Sequence, residues 1–319
     1  MKNLVICYEK GIGTDEDLSQ ALYWYKKAAD EGDADCLYFL GMFHKEGTGV
    51  EKDEYQAYRY FKAASEKGHL DATYELSYCY EGGHGVDKDI DEAFYLYDHL
   101  CQKGYRKAQI DMVFLVMFDS NNFTPEQIDK AIYYFEQAGE AGYKDSRGML
   151  FTYYSIGVHP FKKNESKALY WAEKLAEEGK IKYQREAYER YNEGIGTAVN
   201  KQKAMYYLEK AAESGDIDSQ VEVCNIYINQ DDQKKAFYWL KKFSEGDLEE
   251  AYYLLGIRYL GGIGTERNYS KAFYWIKKAA EAGNVDGMEK LYKMYYDGVG
   301  TEKNMREYRY WKRKWDQNK

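Results

Sequence analysis

A chain of 319 residues, 45% hydrophobic and 31% charged, has enough of both to build a soluble, packed fold instead of a disordered coil. Its formal net charge of −9 repels phosphate backbones and sets nucleic acid aside as a partner. The longest apolar run, Met112–Phe118, is far below the ~18 residues of a membrane span, and Leu4–Tyr8 is too short for a signal-peptide core, so we expect no membrane insertion and a cytoplasmic location.

Two prolines in the whole chain fit nearly continuous helix. The 36 tyrosines are too many for any one catalytic site, which assigns most of them to packing. In chain order, one phrase keeps returning. It starts at Ala21 and recurs at Ala57, Ala93, Ala131, Ala168, Ala204, Ala236, Ala272 and Tyr308, at separations of 36, 36, 38, 37, 36, 32, 36 and 36 residues. A period this regular leaves no room for a separate catalytic domain and predicts nine stacked units. Their approximate limits are 1–32, 33–68, 69–104, 105–142, 143–179, 180–215, 216–246, 247–283 and 284–319, the first truncated. Met1 falls inside a repeat, so any export signal would lie upstream of it.

Each unit reads as two helices. In the second, helix B, a short polar residue four positions before the anchor alanine supplies an N-cap: Asp17, Asp53, Asp89, Asn164, Asn200, Asp232, Asn268 and Asn304. The unit at Ala131 uses Thr124-Pro125 instead. A large side chain follows three residues after the anchor, as in Trp24, Tyr60, Trp171 and Trp275, and spacing of 0, +3 and +7 makes one helical stripe. Helix B stops at a glycine, from Gly32 and Gly68 to Gly246 and Gly283. Helix A comes next, with a small residue near its start (Cys36, Ala72, Ala108, Ser219), a packed position one turn on (Gly41, Ser77, Cys224, Gly256) and an aromatic three further (Tyr8, Tyr80, Tyr191, Tyr259, Tyr295, or His44). It ends at Gly-x-Gly: Gly11/Gly13, Gly47/Gly49, Gly83/Gly85, Gly194/Gly196, Gly262/Gly264 and Gly298/Gly300. Three links depart from this and are expected to disturb the pitch: Asp119–Phe123, Ile156–Lys163 and Asn229–Asp232.

The phrase Leu40-Gly41 through Gly47-x-Gly49, Ala57, Phe61-Lys62-Ala63-Ala64 and Gly68, repeated from Gly256 to Gly283, resembles the Sel-one-like repeat (SLR) over essentially the whole chain. The resemblance implies an all-α, right-handed superhelical solenoid of helix-turn-helix units similar to tetratricopeptide repeats. It also implies a non-enzymatic scaffold or adaptor that holds a partner protein or peptide in its concave groove. Other members suggest two alternatives, a protein that binds or hydrolyses peptidoglycan or β-lactams and a host-directed effector. The β-lactam reading belongs to members with cysteine pairs in each repeat, which this sequence lacks.

No residue pattern calls for catalysis, a cofactor or a metal. The Gly-x-Gly turns lack the third glycine of a dinucleotide fingerprint and the Gly-Lys-Ser/Thr of a P-loop. His44, His69, His84, His99 and His159 share no ligand spacing, and no acid pair stands out as an acid–base couple. The five cysteines (Cys7, Cys36, Cys79, Cys101, Cys224) form no recurring pair and read as buried free thiols. From Thr301 to Lys319 the chain turns basic, with seven Lys/Arg against three acids, which reads as a solvated last helix whose cations sit near its C-terminus.

By analogy with tetratricopeptide repeats, the groove is lined from helix A at offsets −6, −3, +1 and +4 from the packed position. These offsets select Tyr38, Met42, Tyr74, Tyr78, Ile110, Phe114 and Met117 in the N-terminal half, and Val221, Ile228, Tyr253, Ile257, Leu260 and Tyr296 in the C-terminal half. Between them lie the polar Lys182, Arg185, Glu189 and Asn192. A register one residue out would instead place these side chains in the core. We expect eight helix pairs preceded by a partial one, roughly 17 helices, with no sheet.

Overall fold

The computed structural model describes residues 18–319 apart from residue 144 and residues 246–248. The expected cap Asp17, the turn Gly11/Gly13, Cys7, the apolar edge up to Tyr8 and the helix stop Gly246 lie outside the described residues. Within them are 17 α-helices, one 3-10 turn (Ser120–Asn122) and no strand. Helices α1 (Leu18–Asp30), α2 (Ala34–Glu46), α3 (Glu54–Glu66), α4 (Leu70–Gly82), α5 (Ile90–Gln102), α6 (Arg106–Phe118), α7 (Pro125–Glu140), α8 (Ser146–Ile156) and α9 (Glu165–Glu177) come first. They are followed by α10 (Ile181–Glu193), α11 (Lys201–Glu213), α12 (Ile217–Asn229), α13 (Gln233–Glu245), α14 (Glu249–Gly261), α15 (Tyr269–Glu281), α16 (Val285–Asp297) and α17 (Met305–Asn318). Even-numbered helices are the A helices and odd-numbered ones the B helices. The chain falls into two compact units, one ending at Trp171 and the other running from Ala172 to Lys319.

Local chemistry sets the helix ends. Asp53, Asp89, Asn200, Asn268 and Asn304 each accept a backbone N–H of the first turn of their B helix. Thr124 and Gln127 form a reciprocal capping box ahead of α7. The first glycine of each described Gly-x-Gly takes the left-handed conformation that closes helix A, as Gly83 does at φ +74° with its N–H on the Cys79 carbonyl. The second glycine has a further duty. A Cβ at Gly264 would lie 1.9 Å from the Gln233 carbonyl oxygen, and one at Gly85 would lie 2.1 Å from that of Glu54. The loop therefore rests directly on the start of the preceding helix B, and only glycine permits that approach.

The core of each unit is the seam between helices. The anchor alanines are buried, and the deepest large side chains stand four residues after them: Phe61, Tyr97, Phe135, Leu208 and Ile276. The stripe thus takes in the expected +3 position, buried at Leu96, Trp171, Tyr207, Trp239 and Trp311 and half-buried at Trp24, Tyr60 and Trp275, together with the residue after it. Polar bonds tie neighbouring repeats together in two rows. Along the A row, Lys45 Nζ donates to Glu75 Oε2 (2.5 Å) and Tyr74 donates to Asp111 (2.5 Å). Along the B row, Lys130 donates to Asp98 (2.7 Å) and Lys167 to Glu136 (2.7 Å). Helix A also caps the helix B before it, since Arg147, Gln184 and Gln220 donate to the carbonyls of Gly139, Ala176 and Ala212.

Two of the divergent links carry an aromatic plug, the second of them after Gly157 has closed α8 at φ +74°. Phe123 packs on Phe94 with centroids 5.2 Å apart, and Phe161 packs against Phe135, Tyr153 and Tyr154. The third link is short and turns through Asp231 at φ +59°.

Candidate protein-binding face

Besides the B helices before and after it, helix A meets the helix A of the preceding repeat and that of the next. Position −3 points toward the last of these. Tyr38 stacks on His69 at 4.7 Å, Tyr74 donates to Asp111, and Arg185 donates to Asp216 at 3.0 Å. Exposure there depends on what the next helix places opposite. Tyr105, at the N-cap of α6, lies 5.6 Å from the Tyr74 ring, and the Lys107 ammonium sits 4.0 Å above it. Tyr74 is consequently only 9% exposed and Ile110, at the same position, 8%. This corrects the sequence reading for both residues: the next helix A covers Tyr74, and Ile110 is buried as well. Burial raises the Tyr74 phenol well above its ordinary range, and its bond to Asp111 raises it further. Tyr38 and Tyr253 remain half-buried, and Val221 is exposed.

Positions +1 and +4 face no neighbour fully. Tyr78 (44%) and Tyr296 (54%) are exposed, and Met42, Phe114, Met117, Ile228, Ile257 and Leu260 are half-buried. In α10 the corresponding face is polar, with Lys182 and Glu189 exposed and Arg185 and Asn192 half-buried. Phe118, 88% exposed and stacked on Phe114 at 6.5 Å, adds to the face of α6. Sequence reasoning passed over it because it lies beyond the last assigned offset, although a phenylalanine just before a lost glycine turn was the available signal.

The B helices expose tyrosines too, two residues after the anchor: Tyr23, Tyr95, Tyr133, Tyr170, Tyr206, Tyr238, Tyr274 and Tyr310. Most of these rings are engaged. Tyr206, Tyr238, Tyr274 and Tyr310 each carry the ammonium of the lysine four residues on, 4.9 to 5.7 Å from the ring centroid, and stand edge-on to the next aromatic. Two of those lysines, Lys210 and Lys242, pair in turn with Glu177 and Glu213 of the preceding helix B. The B face is a lattice of tyrosine, lysine and glutamate that joins repeats.

This two-row arrangement is matched by known proteins. The Sel1 repeat family matches nine segments: 6–33, 34–69, 70–105, 117–143, 149–180, 187–216, 226–248, 249–284 and 291–311. The chain belongs to the Sel1 repeat family. A solved structure of c5321, a protective antigen present in uropathogenic Escherichia coli strains and displaying an SLR fold, is similar at 26% identity and a TM-score of 0.50, over 99% of this chain and 70% of that one. A Sel1 repeat protein from Oxalobacter formigenes is similar at 21% identity and a TM-score of 0.50, over 99% and 82% of the two chains. No curated protein matches.

Sel1 repeats generally mediate protein–protein interaction, and their scaffold is typically non-enzymatic. Among the described residues of this Sel1 repeat chain there is no cluster of three or more potential metal ligands, and no helix is long and apolar enough to cross a membrane. Cys36, Cys79, Cys101 and Cys224 are buried. Burial holds the Cys79 thiol up at about 12 and also raises those of Cys101 and Cys224, which keeps them protonated and unreactive. In the basic terminal helix α17 only Trp311 is buried, and the ammonium groups of Lys314 and Lys319 lie over Tyr310 and Trp315.

Proposed function

We propose that this chain is a non-enzymatic adaptor that holds a peptide or protein segment on the A-helix face of its repeats. One observation carries the reading. At positions +1 and +4, apolar side chains stay partly open after the neighbouring helices have packed, whereas most exposed tyrosines of the B helices are engaged by a lysine and an aromatic of their own helix, two of those lysines pairing with the preceding repeat. Apolar surface with no packing duty marks a contact site. Aromatic and methionine side chains supply contact area at low entropic cost or with adaptable shape. The accessible set is Tyr38, Met42, Tyr78, Phe114 and Met117 in one compact unit, and Val221, Ile228, Tyr253, Ile257, Leu260 and Tyr296 in the other.

The test is selection of peptides from a random display library on the whole chain, followed by affinity measurement on paired variants. Phe114→Ala with Met117→Ala, and Val221→Ala with Tyr296→Ala, each alter the A face of one unit. A loss of at least about tenfold, or about 1.4 kcal/mol, is expected from the pair in the unit that a selected peptide occupies. Tyr95→Ala with Tyr133→Ala, and Tyr238→Ala with Tyr274→Ala, should leave affinity unchanged. Loss confined to the B-face pairs would overturn the proposal.

A further inference from the structure

One position on helix A varies widely in size among the repeats, and its smallest occupant leaves a hole. Just before the core aromatic of helices α2 to α16 stand Phe43, Cys79, Leu115, Tyr153, Arg190, Ile226, Arg258 and Met294. Seven are large. The eighth, Cys79, stops short of the start of α3, and a cavity of about 200 Å³ opens there. Ala57, Phe61 and Cys79 form its buried floor. Tyr78 and His84, stacked at 5.2 Å and 15°, form a wall. At the rim Lys45 is bonded to Glu75, and Glu54 lies 3.2 Å from Lys52 Nζ and 3.7 Å from His84 Nδ1.

We propose that this cavity is an anchor pocket for one aromatic side chain of a bound peptide, phenylalanine being the fit. The inference rests on the A-face reading above and deepens it. Size excludes a cofactor-sized ligand, because such sites run to about 300–1,000 Å³. Charge excludes an anion or a cation as the seated group: two lysines and two glutamates cancel, and each is already paired. What lies inside is apolar, with the Phe61 ring and the Cys79 sulfur below and the aromatic wall beside them. These surfaces favour an aromatic ring through ring–ring and sulfur–ring contacts. The paired rim leaves carboxylate and ammonium groups within reach of the peptide backbone that carries the side chain. A buried aromatic seated in a desolvated pocket is also the usual form of an interface hot spot.

N-acetyl-phenylalanine amide is the probe, titrated into the whole chain at millimolar concentration and followed by the imidazole proton resonances. The chain has only five histidines, and His84→Asn assigns the one at the wall. The expected result is a saturable shift of the His84 signal with the phenylalanine probe and none with N-acetyl-glutamate amide or N-acetyl-lysine amide. Cys79→Leu, which installs the residue that α6 carries at this position, should abolish the shift, and Cys79→Ser should retain it. Tyr78→Ala removes an exposed wall residue without touching the core, so it serves if Cys79→Leu fails to fold. It should weaken the probe at least fivefold. No His84 shift with the phenylalanine probe, equal shifts with the charged probes, or a shift that survives Cys79→Leu would overturn the pocket. Selected peptides that depend on the Phe114 and Met117 pair, yet bind Cys79→Leu as well as the parent, would overturn the pocket alone. Peptides indifferent to the A-face pairs would overturn the broader reading.

Discussion

Tyrosine in this chain works through its hydroxyl as much as its ring. Tyr97 is buried at the centre of its seam and donates to Glu81 Oε2 at 2.8 Å. Burial raises the Glu81 carboxyl above its ordinary range, and the bond from Tyr97 only partly offsets that. Tyr97→Phe leaves the carboxylate without its donor and should cost about 1–3 kcal/mol of unfolding free energy in urea titrations. A cost near zero would mean that water replaces the hydroxyl. The sign of the pH effect follows from the raised value. The native state binds the proton more tightly than the unfolded state, so the stabilisation is complete at pH below the ordinary carboxylate range and is lost as pH rises through the native value. Glu81→Gln removes this dependence, and its stability relative to the parent should grow between about pH 4 and pH 7. An offset that stays constant across that interval would contradict the assignment. A similar polar unit recurs in three consecutive repeats: Tyr154, Tyr191 and Tyr227 donate to Glu136, Glu173 and Glu209, and each takes a lysine, Lys167, Lys203 or Lys235, on its oxygen. The sequence showed the tyrosines as a core slot. It hid the acids and lysines, because they stand 18 residues before and 8 to 13 residues after their tyrosine, on different helices.

At the level of the element, caps and glycine stops could be read directly, since each depends on chemistry within four residues. The two glycines of one turn nevertheless differ from the glycine that ends helix B, and the sequence treats them alike. Gly68 has φ +83° and no atom within 4 Å of the point a Cβ would occupy, so Gly68→Ala should cost only the left-handed backbone strain, about 1–2 kcal/mol. Gly264→Ala adds a collision with the Gln233 backbone and should cost clearly more. Denaturant midpoints of the two variants decide this, and equal losses would show that the loop moves away at no cost. The register of the groove was the least legible part. Helical periodicity places positions −3, +1 and +4 on neighbouring faces but cannot say which of them the next repeat covers. Tyr74 was lost to that neighbour, because Tyr105 and Lys107 reach across from α6.

For the whole chain, the repeat period determined the fold class and the family, and it could do so because each unit repeats the same local decisions nine times. The Cys79 cavity was not legible, since a small residue leaves space only where three helices and two loops from different repeats meet. Packing so many phenols has a collective consequence. Burial raises Tyr97, Tyr154, Tyr188, Tyr207 and Tyr227 above their ordinary value, while the unfolded chain ionises near pH 10. Stability should therefore be complete below that pH and fall as pH rises beyond it. Phenolate absorbance and helical circular dichroism, followed together, should show these five tyrosines ionising only as helix is lost; their full ionisation with the helices intact would contradict it. The account as a whole turns on which row of helices meets the partner. Hydroxyl-radical footprinting of the chain with and without a library-selected peptide reads both rows at once. The account predicts protection of A-row side chains of one unit, Met42, Tyr78 and Phe114 or else Tyr253 and Tyr296, with Tyr95, Tyr133, Tyr238 and Tyr274 oxidised equally in both states. Protection of the B-row tyrosines with the A row unchanged would contradict it.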